Sequence, residues 1–212
     1  FVFDGGVYGV EPQPIPSYAL PADVFLGFTG RTGGATNNHW ARNIQYGIGG
    51  GGGGGGSSSS NAVVTTLSSS KAGMTTYQLH TVLSAGQTNV YALAGTPDQN
   101  LIMPPAFQVA APFGTDVGGV SPAFFPVNAD AEFDSWLTVG ATDGSAGAAI
   151  STIGVGLDGW SLSTGIAANN GAVFWMNPNS GPGGADPICV AQVTVPSGSD
   201  LTAAGMLQGR SA

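Results

Sequence analysis

The sequence predicts an all-β fold: a β-sandwich or jelly-roll-like domain with an extended N-terminal arm. From Asn61 onwards, short segments in which apolar and polar residues alternate with a period of two follow one another to the end of the chain. Segments rich in Gly, Pro, Asn and Ser separate them, and these residues favour tight turns. No segment has the clear 3.6-residue periodicity of an amphipathic helix. Short strands joined by such turns are typical of β-sandwiches.

The strand pattern around which we expect the domain to be organised covers residues 132–139. An extended chain here places two sets of side chains on opposite sides: Phe133, Ser135, Leu137 and Val139 on one, and Glu132, Asp134, Trp136 and Thr138 on the other. We expect this strand to end at Gly140, before the turn-forming pair Asp143-Gly144.

The other predicted strands show the same alternation or a short apolar run. They cover residues 62–67, 75–83, 88–94, 106–110, 171–176, 188–195 and 201–208. Turn signals such as Pro104-Pro105 and Asn169-Asn170-Gly171 lie between them.

Two further segments precede the sandwich domain, which we place at residues 62–212. Residues 1–30 form an N-terminal arm with the first strands, and residues 31–61 form a Gly/Ser-rich loop or linker. Pro12, Pro14 and Pro16 alternate with other residues, so the chain there takes an extended, polyproline-like path. A short strand on a stiff tether is the layout of an arm that adds a strand to a neighbouring subunit. The alternative is an edge strand that packs on its own domain.

Charge and composition exclude several classes of partner. Charged residues are 8% of the chain, and the net charge is −8, from twelve acidic and four basic residues. The bases are scattered, whereas nucleic acid and anionic membranes need them clustered. No window reaches the ~18 consecutive apolar residues of a spanning helix, so we expect no membrane insertion. The chain starts at Phe1 rather than Met, from which we expect a removed leader and an extracellular or cell-surface location.

The sequence contains no recognisable catalytic constellation. Cys189 is the only cysteine and lies in an apolar run, where we expect a buried, inert thiol. His39 and His80 have no zinc-ligand spacing, and no Gly-x-Ser-x-Gly turn accompanies them. We expect Trp136 and the other large aromatic residues to be core and interface anchors. The chain is therefore predicted not to be an enzyme and to have no catalytic residue.

Alternating carboxylates give the chain one candidate ligand site. On a strand, Asp130, Glu132 and Asp134 would point to one side, and with Asp143 as a fourth ligand they are candidate ligands for calcium. The alternative is a solvated face that holds no metal. A retaining glycosidase is a further alternative, which needs two carboxylates ~5 Å apart in a cleft with aromatic platforms. Calcium is the only candidate cofactor, and the sequence does not identify a metal.

Segments from about Thr75 to the end resemble a known family. The residues that carry the resemblance are Thr76-Tyr77-Gln78-Leu79, Asn89-Val90-Tyr91-Ala92-Leu93, Glu132-Phe133-Asp134-Ser135-Trp136-Leu137-Thr138-Val139-Gly140, Asn170-Gly171-Ala172-Val173-Phe174-Trp175 and Val190-Ala191-Gln192-Val193-Thr194. They are similar to a poorly characterised β-rich domain of secreted or self-assembling proteins from microalgae and aquatic bacteria, and also to shell-forming proteins of algal pyrenoids. The resemblance implies a structural or assembly role and names no catalytic residue. The first 60 residues do not share it.

Together these observations predict a structural, self-assembling subunit of an extracellular fibril or protein layer. Copies of the chain would form a homopolymer when the N-terminal strand of one adds to the sheet of the next. The arm residues expected to make this contact are Phe1, Val2, Phe3, Val7, Tyr8 and Val10. The alternative function is a carbohydrate-binding β-sandwich module, with calcium as a possible requirement and glycans as the partner.

Overall fold

The computed structural model describes residues 2–3, 6–7, 30–32, 35–49 and 58–212, with side chains for 38–49 and 58–212. It confirms the all-β prediction, because two antiparallel sheets form a β-sandwich. In the described residues, helical structure is confined to short 3₁₀ turns. The strands β1–β15 are, in chain order, Val2–Phe3, Gly6–Val7, Gly30–Thr32, Ala35–Asn37, His39–Ile48, Ala62–Thr66, Met74–Thr81, Gln87–Gly95, Leu101–Met103, Trp136–Leu137, Ile150–Ile153, Ile166–Ala168, Gly171–Trp175, Ile188–Pro196 and Leu201–Ser211. The 3₁₀ helices are Pro122–Phe124, Ala129–Phe133, Gly147–Ala149, Leu157–Gly159 and Pro178–Ser180.

The smaller sheet has the strand order β10-β14-β7-β6. Its centre is β14, which is buried at every position from Ile188 to Val195. A strand that is buried on both faces needs a cover on each of them. The larger sheet covers the inner face, and a long irregular segment, residues 104–147, covers the outer face.

The larger sheet is built around β15. One side of β15 pairs with β5 from Leu201↔Ile48 to Arg210↔His39. The other side pairs with β8 and, through Ala204↔Ile102, with β9. Beyond these, β13 pairs with β8 and β12 with β9, and β11 follows β13 at the far edge. The regular sheet thus includes β5, which lies inside the segment 31–61 that we expected to be a loop or linker.

The core lies between the two sheets. It is formed by aliphatic side chains that are 1% exposed or less, among them Ile44, Leu79, Val90, Leu93, Leu137, Val139, Val173, Val190, Val193, Leu201 and Leu207. Burying one such side chain fully contributes about 1.5–3 kcal/mol to folding. Alternation within β7 places Leu79 inwards, as the sequence pattern predicted, whereas β8 is buried at every position from Ala92 to Gly95.

The predicted strand over residues 132–139 is wrong in its first half. Residues Ala129–Phe133 form a 3₁₀ helix, which Asn128 caps by accepting a hydrogen bond from the Asp130 backbone N–H at 3.1 Å. Strand pairing is limited to Trp136–Leu137, against β14. The period of two does not separate a buried face from an exposed face here, because every residue from Phe133 to Val139 is buried.

Two other expectations about strands also need correction. Residues 106–110 do not form a strand, although the Phe107 N–H donates to the Thr194 carbonyl at 2.8 Å. The sequence analysis missed β9, β11 and β12, each of which has only three or four residues.

The N-terminal arm lies mostly outside the described residues. The backbone of β1 pairs with β2 at Val2↔Val7 and Phe3↔Gly6, so these residues form a hairpin within one chain. Phe1, Tyr8 and Val10 lie outside the described residues, as do the side chains of Val2, Phe3 and Val7. The contact of the arm with a neighbouring subunit therefore stays a prediction.

Candidate functional site

The cover on the outer face of the smaller sheet is held by buried polar side chains. The Thr194 N–H donates to Ser135 Oγ at 2.9 Å, and the Thr76 and Thr194 hydroxyls lie 2.7 Å apart. The Gln192 amide donates to the backbone carbonyls of Glu132 at 2.9 Å and Asp134 at 2.8 Å. The bonds of Ser135 and Gln192 join the irregular segment to β14, and the Thr76–Thr194 contact joins β7 to β14.

Asp134 is the centre of this arrangement and is fully buried. Its Oδ1 accepts from the Val109 N–H and its Oδ2 from the Thr115 N–H, both at 2.7 Å. Burial raises the pKa of Asp134 to about 6, while the two N–H donors and the backbone at Ser135 oppose that rise. The carboxylate thus closes the loop between residues 109 and 115.

The four candidate calcium ligands do not share one face. Asp130 forms an ion pair with Lys71 at 2.6 Å, and Glu132 Oε1 accepts from Ser69 Oγ at 2.5 Å. Asp134 is buried, whereas Asp143 is exposed and accepts from the Ser145 N–H at 3.0 Å. The expectation of three carboxylates on one side of a strand is wrong because residues 129–133 are helical. Among the residues that the structure describes, no group of three or more His, Cys, Asp or Glu is placed to hold a metal ion.

Two of these carboxylates do line a common cleft. Glu132 and Asp143 both face a cleft of about 210 Å³ on the outer side of the smaller sheet. Its polar lining includes Gln78 and Gln192, whose amides are joined by a hydrogen bond of 3.0 Å. Its apolar lining consists of Leu67, Val120, Pro122, Phe125, Ala131 and Trp136. Neither glutamine was singled out from the sequence, although a polar residue inside the apolar run of β14 is a signal of a buried hydrogen-bonded side chain.

The sheet edges are a second feature of functional interest. In β6, residues 61, 63, 65 and 67 bond to β7, so the backbone groups of Val64 and Thr66 point away from the sheet. In β11, those of Ile150 and Thr152 point outwards for the same reason. No described residue pairs with these outward groups. The outer edge of β5 differs, because Ser58 and Ser59 bond to Gln45 and Gly47.

The titratable residues outside the cleft are structural in character. Cys189 is 5% exposed, which agrees with the prediction of a buried thiol, and burial raises its pKa to about 12. His80 is half-buried, and burial lowers its pKa. His39 Nδ1 lies 3.2 Å from the Tyr91 hydroxyl. Trp136 and Trp160 are buried, as expected of core anchors.

No helix among the described residues has the length and apolarity needed to cross a membrane. Comparisons of the chain with protein-family models, with curated proteins and with solved structures find no match. The resemblance to the β-rich algal and bacterial domain stays a prediction.

Proposed function

We propose that the protein is a structural, self-assembling subunit in which the N-terminal arm of one copy adds a strand to the β6 edge of the next. The observation that carries this proposal is the outer edge of β6, which no described residue pairs with. Natural proteins protect edge strands with proline, charged residues, bulges or a covering element. The sequence Ala62-Val63-Val64-Thr65-Thr66 has no proline and no charge, and no described residue covers its outward backbone groups.

The side chains around β6 make this edge a suitable acceptor for an added strand. Ile48, Ala62 and Val64 pack against the core but are only partly buried. An added strand would cover these side chains with its own apolar residues. The arm offers alternating apolar residues for that purpose, and its prolines provide an extended tether.

The backbone and the side chains of the arm contribute differently to the free energy of association. Val64 and Thr66 present two N–H and two C=O groups, and four new hydrogen bonds contribute about 4 kcal/mol at ~1 kcal/mol each. This is at the low end of the ~4–15 kcal/mol cost of association. Burial of apolar arm residues, at about 1.5–3 kcal/mol each, must therefore supply most of the net affinity. The two-residue hairpin of β1 and β2 has to open first, and so small a ladder is only marginally stable.

The test uses two variants that each remove one half of the contact. Deleting residues 1–16 removes the donor, and Thr66→Pro removes one outward N–H of the acceptor without touching the β6–β7 ladder. We expect the unaltered chain to form polymers in electron micrographs and each variant alone to be monomeric by light scattering. A mixture of the two is expected to form a 1:1 dimer, because one chain keeps the arm and the other keeps the edge.

The matched control is Thr66→Val, which keeps the backbone N–H and is expected to polymerise normally. Circular dichroism checks that every variant is folded. Polymers of Thr66→Pro equal to those of the unaltered chain would contradict the choice of edge, and monomeric unaltered chain would contradict the function.

A further inference from the structure

The cleft on the outer side of the smaller sheet contains polar groups that the fold leaves unused. Trp136 lines it and is 2% exposed, and its Nε1 makes no hydrogen bond to any described residue. This nitrogen is nevertheless not completely shielded from solvent. Since Trp136 is otherwise buried and lines this cleft, we infer that its indole N–H opens into the cleft.

Three residues with free acceptor oxygens line the same cleft as Trp136. Ser69 holds one oxygen of Glu132, which leaves Oε2 without a described partner. The Gln78 amide donates to Gln192, so its own carbonyl oxygen is left over. Hydrogen bonds from Ser145 lower the pKa of Asp143 and keep its exposed carboxylate ionised. The cleft thus combines one donor, the Trp136 indole N–H, with three acceptors. These acceptors are Glu132 Oε2, the side-chain oxygen of Gln78 and the Asp143 carboxylate.

Apart from Thr142 and Gln192, the rest of the lining is apolar. Phe125, Pro122, Val120 and Leu67 form this wall. A volume of about 210 Å³ is smaller than the roughly 300–1,000 Å³ of pockets for drug-sized ligands, so it matches a single ring. A pyranose has the corresponding chemistry, with an apolar C–H face and a rim of vicinal hydroxyls that donate to carboxylates and accept from an N–H.

We propose that this cleft binds one neutral pyranose unit directly, through Glu132, Asp143, Gln78 and the Trp136 indole. The site is separate from the edge of β6, and the proposal does not depend on self-assembly. The carboxylates act as hydrogen-bond acceptors for sugar hydroxyls. No metal bridges the sugar and the protein.

The experiment is saturation-transfer NMR on the full chain with a panel of methyl pyranosides, repeated with excess chelator. We expect at least one neutral pyranoside to give a saturable signal that chelator leaves unchanged. Asp143→Asn and Glu132→Gln are each expected to weaken that binding at least tenfold. The matched control is Asp98→Asn, an exposed carboxylate in another turn, which is expected to leave the affinity within twofold.

Three results would overturn the proposal. No saturable signal from any pyranoside excludes a sugar site at this cleft. Loss of binding in chelator means that a metal holds the sugar. Binding that survives both cleft substitutions, in variants with unaltered circular dichroism, places the sugar elsewhere.

Discussion

Replacing Asp134 with asparagine tests whether a buried carboxylate holds the cover of the smaller sheet. Its two oxygens each accept a short backbone hydrogen bond, from Val109 and Thr115. Asparagine keeps one acceptor but turns an NH₂ group towards the other N–H. Leaving one buried donor without a partner costs about 1–3 kcal/mol, so Asp134→Asn is expected to lower the free energy of unfolding.

The pH dependence separates this effect from ordinary loss of packing. Burial raises the pKa of Asp134 from 3.8 to about 6 in the folded protein, which corresponds to roughly 3 kcal/mol between its two protonation states. The folded state binds the proton more tightly than the unfolded state, so stability is greatest below the unfolded pKa and falls as pH rises through the folded pKa. Wild-type protein should therefore lose up to roughly 3 kcal/mol relative to Asp134→Asn between about pH 4 and pH 7.

Urea unfolding followed by tryptophan fluorescence at several pH values measures this difference. The stability deficit of Asp134→Asn should be largest near pH 4.5 and should shrink towards pH 7. Asp116, whose pKa is also raised by burial, is present in both proteins, so its contribution largely cancels. A deficit that is constant with pH, or that grows as pH rises, would refute the reasoning.

Three other predictions concern the same region. Gly114→Ala should lower the free energy of unfolding, measured with a chemical denaturant, by about 3 kcal/mol or more, because a Cβ there would lie 1.8 Å from a backbone carbonyl oxygen. The control is Gly156→Ala, whose Cβ would meet no atom within 4 Å and which should change that free energy by less than about 0.5 kcal/mol. Cys189 should react with iodoacetamide only as fast as the protein unfolds, and fast labelling of native protein by mass spectrometry would contradict its burial. Lys71→Met removes the partly exposed ion pair with Asp130 and should lower the free energy of unfolding by less than about 1 kcal/mol. A larger loss would indicate that this ion pair stabilises the 3₁₀ helix that contains Asp130.

The sandwich could be predicted because period two is a direct consequence of one buried face. In β7 the inward residue Leu79 alternates with the more exposed Gln78 and His80, and the sequence shows it. β14 was also predicted, although it is buried on both faces. Its run of apolar and β-branched residues is typical of a central strand.

The stretch 129–139 could not be predicted correctly, for a physical reason. Its alternation is real, but long-range side-chain contacts rather than a ladder bury it. Asp134 bonds to residues 25 and 19 positions earlier in the chain, and Gln192 reaches it from 58 positions later. Local periodicity contains no information about such partners. The expected calcium cluster failed at the same point, because it depended on strand geometry.

The two proposed sites place different demands on an assembled polymer, and the fold allows both. Donor and acceptor are different segments, so strand addition at β6 is a heterologous contact, which yields rings or open filaments rather than closed pairs. The cleft opens on the outer face of the smaller sheet, next to Gln78 of β7, and a strand added at β6 lies at that sheet's edge. An added strand extends the sheet sideways and leaves that face uncovered. Sugar binding should therefore be equally strong in monomeric Thr66→Pro and in polymers, and a polymer that excludes the sugar would show that neighbouring subunits pack across the cleft.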